Sequence, residues 1–552
     1  MVLLILALGC YLIYPLFLIL LNSFNVARIG QPPVYSLQAW AEAWSSPGLL
    51  QSLWNTFAVA FWYQAIAFPI GVLLAWALAR TNVPWARGWE FMFWLSFFLP
   101  SLATVLGWIL LLDPRVGLIN QALAGLGLSG SLSFNIYSFW GIVWVHLMSH
   151  AVSSTVMLLT PAFRNMDSAL EEASWISGGT SWRTVLRITL PIMTPPLVIV
   201  FMLALVRLFE SFEIELLLGV PFGFYVYSTR IVDLVRQQPP ELGQATALGS
   251  VTLLLLLVAA PIQRWLTTRR EYVTISGRMR SSPIALGRWR WAVFGLFALV
   301  TVLLVLVPLV SVLLASFMTR FGFFDLPRPW TLANWQRAFV DPVFSRSLQN
   351  TLILGGAAAI VGPLLLCAVA YVVARARSVR GRGLLDVLLW IPSVIPGALA
   401  GLGLLWMFLG VPFLNPLYGT IFLLVIASIM SGITLATQVL KASLLQLGRE
   451  LEDASRMSGA SWPITYVRIV LPILAPTLIV VGTLKFLFAA NATSSIILLA
   501  TSETRPLSLL TLDYVREGLR ESAAVTSLII AALTTVLALV ARRFGLNLGL
   551  RN

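Results

Sequence analysis

Charge is what this sequence has least of. Asp, Glu, Lys and Arg make up 11% of its 552 residues, while 59% are hydrophobic. A soluble globular chain carries roughly one quarter charged residues, so a water-soluble fold is excluded. Lysine occurs at only two positions, Lys441 and Lys485, and neither sits in a G-x-x-x-x-G-K-[ST] pattern. The phosphate-gripping lysine of a P-loop is missing, which excludes ATP hydrolysis of that kind on this chain. The two cysteines, Cys10 and Cys367, lie inside apolar runs, so neither a disulfide framework nor a CxxC metal site is possible. HExxH and GxSxG are also missing, and no enzymatic role is expected. Alternating ten-residue strands are lacking, which argues against a β-barrel. The first 20 residues have no basic n-region, so a cleavable signal peptide is not expected.

What remains is a series of apolar runs, many near the ~20 residues that a helix needs to cross a hydrocarbon layer. Twelve spans are predicted, near 2–22, 53–79, 90–112, 136–160, 192–218, 245–266, 291–316, 348–374, 384–409, 417–440, 473–499 and 522–542. The expected class is therefore an all-α polytopic membrane protein embedded in a lipid bilayer. The net charge of +14 invites a nucleic-acid reading, but the basic residues sit in short loops between spans. Loops on one face hold 23 Lys and Arg and those on the other hold 11, with Arg207 and Lys485 inside spans. The positive-inside rule then places the richer face, and both termini, in the cytoplasm. The Arg-rich stretch 269–290 reads as a cytoplasmic linker that anchors topology, and no nucleic-acid partner is expected. Tryptophans such as Trp40, Trp44, Trp54, Trp85 and Trp89 read as an interfacial belt.

The chain repeats itself. "PLFLILLNSF" from Pro15 resembles "PLVSVLLASF" from Pro308, "SLQAW" at Ser36 resembles "TLANW" at Thr331, and "SLWNTF" at Ser52 resembles "SLQNTL" at Ser347. Residues 1–268 and 291–552 are thus read as two repeats. Each has six spans, an even number, so both have the same orientation about an axis along the membrane normal.

The clearest repetition is polar. "EEASWISGGTSWRTVLRITLP" runs from Glu171 to Pro191, and "EDASRMSGASWPITYVRIVLP" from Glu452 to Pro472. Between Glu171–Leu197 and Glu452–Leu478, 13 of 27 positions are identical. Ser168 with Glu171 forms a capping-box pattern, and Gly178 ends the first short helix. The expected form is helix, glycine turn, helix on the cytoplasmic surface, with Ala173 and Ser174 small enough to let a partner approach. One copy would read as a solvated loop helix. Two copies at the same topological point suggest a partner with two equivalent sockets.

The pattern E-A-(A/S)-x-x-x-G, with Pro 13 residues further on, resembles the EAA loop of permease subunits in bacterial ABC importers. The second copy departs from it in having Asp453 before Ala454. The resemblance covers nearly the whole chain, as two fused permease domains with EAA loops near 165–191 and 446–472. It implies the type I importer permease fold in a bacterial inner membrane. It further implies two copies of an ATPase subunit on the cytoplasmic side, with ATP and Mg on that partner and no cofactor on this chain, and an extracytoplasmic substrate-binding protein. The residues implied in ATPase coupling are Glu171, Glu172, Ala173, Ser174 and Gly178, and Glu452, Asp453, Ala454, Ser455 and Gly459. The fused layout is similar to ferric-iron-type permeases, and thiamine, phosphonate and organophosphate importers share it.

Charges inside the spans are the other candidates. Arg207, Glu210 and Glu213 follow one another at helical spacing in "LVRLFESFEIELLLG", with Glu215 close by. Lys485 and Asn491 occupy the matching stretch of the second repeat. A charge at mid-bilayer costs roughly 3 kcal/mol, so these side chains are expected to face the cavity between the repeats or to pair with one another. They are read as pathway or gate lining, or as an Arg–Glu lock between helices with Glu215 reaching solvent. His146 and His150 are four apart with no evident third ligand, and a hydrogen bond between helices is favoured over a metal. The main rival to an ATP-driven importer is a proton-coupled carrier of the same six-plus-six layout, using Glu210 or Glu213.

Overall fold

The computed structural model describes residues 2–27, 31–128, 133–167, 169–206, 212–254, 284–375 and 379–543. It is helical throughout, and among the described residues the only β pairing is three isolated bridges. Six helices are long and apolar enough to span a membrane alone: Val2–Asn22, Leu49–Arg80, Phe139–Arg164, Trp289–Phe317, Pro342–Arg375 and Arg520–Val540. Five further spans are bent pairs. A shorter apolar helix, Leu242–Leu254, begins the span predicted over 245–266, whose remainder lies outside the described residues. So does most of the predicted linker, 269–283.

The bends are where the expected straight spans need correction, and proline explains the sharpest two. The span predicted over 90–112 turns by 95° between Ala86–Phe98 and Ser101–Leu112. Its counterpart turns by 110° between Gly381–Ser393 and Gly397–Gly410. The turns fall at Leu99-Pro100 and Ile395-Pro396, where the residue before proline is extended, with ψ of 137° and 120°. Proline disfavours the helical conformation in its predecessor and brings no N–H of its own, so the helix restarts in a new direction.

These redirected segments receive the first span of the opposite repeat. Tyr14–Asn22 packs on Gly397–Gly410, and Val307–Phe317 packs on Ser101–Leu112. Glycine makes both crossings possible. A Cβ on Gly403 would lie 2.8 Å from the Pro15 carbonyl oxygen, and one on Gly107 would lie 2.8 Å from Pro308 Cα. Each repeat therefore lends its first span to the other, and one apolar core runs through both.

The repeated "SLQAW" and "TLANW" acquire a physical reason at the ends of those first spans. Trp40 donates its indole N–H to Ser23 Oγ at 3.1 Å, and Trp335 donates to Ser316 Oγ at 3.2 Å. Antiparallel bridges, Asn25 with Tyr35 and Met318 with Trp330, close the two turns. The indoles thus fasten a short surface helix, Gln38–Ser45 or Ala333–Val340, to the end of the span it follows.

Candidate functional site: the paired loops and the polar residues between the spans

In the first loop, helix Ala169–Ile176 ends at Gly178, whose φ is +81°, and a second helix begins at Ser181. In the second loop, helix Glu450–Met457 ends at Gly459, also with φ +81°, and the chain re-enters a helix at Trp462. Gly179 N–H reaches back to the Ser174 carbonyl at 2.8 Å, and Gly178 N–H to that of Trp175 at 3.0 Å. Ala460 and Gly459 repeat both bonds at 3.1 and 2.9 Å. This six-to-one pairing over a left-handed residue closes a helix at little cost only when that residue is glycine. Ser168 lies outside the described residues, so its capping role does not enter.

The serines do more than stay small. Ser174 Oγ and Thr184 Oγ1 are 2.9 Å apart, and Ser455 Oγ and Thr465 Oγ1 are likewise 2.9 Å apart. Each bond ties the two short helices of its loop into one unit.

The acidic residues divide by direction. Glu171 is fully buried, ion-paired with Arg80, and accepts a hydrogen bond from Thr189 Oγ1 at 2.7 Å. Arg80 also donates to the Met166 carbonyl at 3.1 Å. Glu452 is buried too, with Arg375 Nε at 2.7 Å and the Tyr371 hydroxyl at 2.5 Å. Arg80 and Arg375 end the long helices Leu49–Arg80 and Pro342–Arg375. Each loop is thereby riveted to the end of a span. Asp453 and the alanines Ala173 and Ala454 stay at the surface, while Glu172 is half-buried. Apolar knobs stand beside them at matching positions: Leu170 and Leu451, and above all Ile176 and Met457, which are 88% and 89% exposed. Sequence reading missed Ile176 and Met457 because the residue differs between the two copies, although both are apolar.

Between the spans, Arg207 and Glu210 lie outside the described residues. Glu213 opens a new helix, Glu213–Leu218, and accepts a hydrogen bond from Ser101 at the restart of the bent third span. Glu215 does not reach solvent. It is 1% exposed, and its Oε1 pairs with His146 Nε2 at 2.8 Å, with Tyr63 stacked on the imidazole at 4.8 Å. The reason is geometric: the short helix Glu213–Leu218 packs against Phe139–His146, which brings the two side chains face to face. His146 thus has an interhelical partner, while His150 lies against the ring of Phe97. Among the described residues no group of three His, Cys, Asp or Glu converges as a metal site.

Lys485 is fully buried and donates to the carbonyls of Ile429 and Ser431 at 2.8 and 2.6 Å. Those carbonyls flank the break between Ile421–Met430 and Ile433–Gln446, which turns by 59° at Gly432, φ +69°. The ammonium replaces the helix hydrogen bonds that the break removes, and its positive charge meets the negative end of a helix. The matching point of the first repeat is a π-turn, Leu147–Ala151, in a span without such a break. Asn491 caps helix Ala475–Ala490, and its buried Oδ1 has no hydrogen-bond partner among the described residues.

The model of one family, described as "Binding-protein-dependent transport system inner membrane component", matches residues 67–272 and again 367–548. The chain belongs to this family. It is a multi-pass permease, and the two matches fall one in each repeat. It is 28% identical to a putative ferric transport system permease protein, FbpB 1, of Haemophilus influenzae, over 67% of this chain and 58% of that protein. This permease therefore spans little more than half the length of that relative. It is 26% identical to a probable ABC transporter permease protein, y4fN, of Sinorhizobium fredii, over 94% of this chain and 92% of the relative. A chain in the crystal structure of a bacterial alginate ABC transporter aligns at 19% identity and TM-score 0.38, covering 46% of this permease and 92% of that chain.

On the face opposite the paired loops, the permease presents two more matching helices, Tyr227–Arg236 and Leu507–Arg516. Their terminal arginines, Arg236 and Arg516, are exposed. Partial burial, Arg516 and Arg505 draw Arg236 below the ordinary arginine value, while Asp513 acts the other way. Sequence reading assigned these residues only to topology.

Proposed function

We propose that this permease forms the translocation pathway of an ATP-driven importer and is moved through its two EAA loops. The observation that carries this reading is the duplicated rivet. Two helix–glycine–helix units have the same closing hydrogen bonds, the same buried Glu–Arg tie to a span end and the same exposed aliphatic knob. A rigid, surface-projecting unit fixed to a span end transmits force well, because a push on the knob moves the span rather than bending the loop. Two ATPase subunits, carrying ATP and Mg, would dock on the cytoplasmic face at Ile176 and Met457 and at the adjoining Glu172, Ala173, Gly178, Asp453, Ala454 and Gly459. In this reading Glu171, Glu452, Ser174 and Ser455 hold the loop together and do not touch the partner.

Closure of the ATPase pair would draw the two loops together and rock the repeats about the crossings at Gly107 and Gly403. A binding protein would deliver substrate to the opposite face. The ferric relative supports a small polar solute, ferric iron foremost. In this reading both termini lie in the cytoplasm with the loops, in an inner membrane. Glu213, Glu215, Lys485 and Asn491, with Arg207 and Glu210, remain the charged and polar side chains that a pathway between the repeats would draw on. The rival carrier driven by protons would use Glu210, which lies outside the described residues, or Glu213, which accepts a hydrogen bond from Ser101, and it offers no account of the duplicated loops.

The test is affinity purification of the solubilised permease from its own cells, followed by transport in vesicles. An ATPase is expected to copurify, and to be lost when Ile176 and Met457 are both changed to Asp. Transport that persists in the double variant without ATP would refute the reading.

A further inference from the structure

Among the described residues, Trp85 is the one non-glycine with a left-handed backbone, φ +61°. A bulky side chain takes that conformation at a cost that glycine escapes. Its indole is 57% exposed and lies over Gly88, where an added Cβ would stand 2.2 Å from the ring. From there an aromatic chain runs into the second repeat. Trp85 meets Trp89 edge on at 4.7 Å, Trp89 meets Phe294 at 5.1 Å, and Phe294 meets Trp291 at 5.8 Å. Hydrogen bonds close the same junction. Ile284 N–H donates to the Arg80 carbonyl at 2.8 Å, and Leu286 N–H to Asn82 Oδ1 at 3.0 Å. Because Arg80 also holds Glu171, the junction lies on the side of the paired loops.

The start of the second repeat adds charge to these rings. Trp289 and Trp291 are 66% and 64% exposed, and Arg290 stands over the Trp291 ring at 5.4 Å. Arg288 and Arg290 are exposed, and among the described residues no carboxylate pairs with either. Residues 264–280, just upstream, carry five arginines and one glutamate, so the chain brings no surplus of counter-charge. Further along the same helix, Leu296, Leu299, Val302, Leu306, Val310 and Leu313 are exposed at steps of three or four residues. This stripe follows Trp289–Phe317, a helix long and apolar enough to cross a membrane alone, so lipid hydrocarbon is what covers it. Guanidiniums and indoles at the head of a lipid-facing stripe stand at the level of phospholipid headgroups.

We propose that Arg288 and Arg290, with the indoles of Trp85, Trp289 and Trp291, form a binding site for one anionic phospholipid of the leaflet beside the paired loops. The phosphate accepts hydrogen bonds from the two guanidiniums, the glycerol region rests on the indoles, and one tail follows Leu296 and Leu299. The lipid touches both repeats, with Trp85 only five residues beyond Arg80 of the first loop's rivet. The inference depends on the chain crossing a membrane and not on what it transports or what drives it.

The experiment uses the full chain in phosphatidylcholine vesicles doped with a lipid that carries a diazirine at the head of one tail. Two probes, a phosphatidylglycerol and a phosphatidylcholine, differ only in headgroup, and labelled peptides are mapped by mass spectrometry. The phosphatidylglycerol probe is expected to label Trp289–Leu299 at least about fivefold more than the phosphatidylcholine probe, the worth of one basic residue near an anionic surface. No such preference is expected at the exposed Leu364 and Leu365 of another span. Equal labelling of Trp289–Leu299 by the two probes would overturn the site. Arg288→Gln with Arg290→Gln is expected to abolish the preference and leave the unfolding temperature unchanged; a preference that survives would overturn the role of the arginines. Trp85→Gly removes the indole and relieves the backbone, so it is expected to lower the phosphatidylglycerol label without lowering the unfolding temperature in detergent. Unaltered label would overturn the contact with the first repeat. Excess inorganic phosphate is expected not to compete, and label lost to it would make this a site for free anions instead. Label lost when the copurifying ATPase is bound would assign the surface to that subunit and overturn the lipid.

Discussion

Gly403 of the second repeat meets Pro15 of the first so closely that an added Cβ would stand 2.8 Å from the proline carbonyl oxygen, and Gly107 meets Pro308 in the same way. The two contacts are the pseudo-symmetric crossings at which each repeat accepts the other's first span. Both glycines are helical, so their use here is space and not backbone freedom. Gly403→Val and Gly107→Val are each expected to destabilise the solubilised chain by about 1–3 kcal/mol, the usual cost of overpacking. Thermal unfolding in detergent reads this directly. Gly356→Val is the control, because a Cβ there meets nothing within 4 Å. Equal loss at all three positions would show that the crossings are not special.

Arg375→Ala leaves the Glu452 carboxylate buried beside Tyr371 without its cation. Breaking a buried pair from one side costs roughly 3–5 kcal/mol, whereas removing both partners costs much less. Arg375→Ala is therefore expected to loosen the second loop, seen as faster limited proteolysis between Arg449 and Arg468. The double change Arg375→Ala with Glu452→Ala should restore much of the protection. If the single change leaves proteolysis unaltered, the rivet has no mechanical role.

Lys485→Met preserves bulk and removes the donor to Ile429 and Ser431. Two carbonyls at the break then lose their partner, at about 1–3 kcal/mol for each buried group left unsatisfied. The expected result is a lower unfolding temperature and a smaller maximal transport rate with KM unchanged. A raised KM with normal stability would instead make Lys485 a substrate contact.

Ile176→Asp and Met457→Asp place a charge on the most exposed apolar point of each loop. Interface anchors of this kind are worth about 2 kcal/mol or more, so ATPase retention should fall more than roughly tenfold for each. The unfolding temperature should not change, since neither side chain is packed within the chain. Measuring the two variants separately also shows whether the two loops are gripped alike.

Much of this was legible in the chain itself, for reasons of composition and period. Spans declare themselves by apolar length, and the repeat by motifs such as "PLFLILLNSF" and "SLQAW". Gly178 and Gly459 could be read as helix stops because left-handed backbone is a local property. The direction of Glu171 and Glu452 could not be read. Their partners Arg80 and Arg375 are 91 and 77 residues away in sequence, and nothing local distinguishes a carboxylate facing inward from its neighbour facing out. Glu215 shows the same limit: near the end of a span it looks solvent-bound, and only the packing of its short helix against Phe139–His146 delivers it to His146.

The sequence by itself determined the class, the membrane, the twofold repeat and the existence of two glycine-broken polar loops, because each of these follows from local composition and periodicity. Tertiary structure alone decided that the repeats exchange their first spans, that Lys485 closes a broken helix, and which acidic residue of each loop points inward. Those outcomes depend on contacts between residues tens to hundreds of positions apart. Such contacts are chosen by shape and by the cost of leaving a buried polar group unpaired, and neither is visible until the helices are packed.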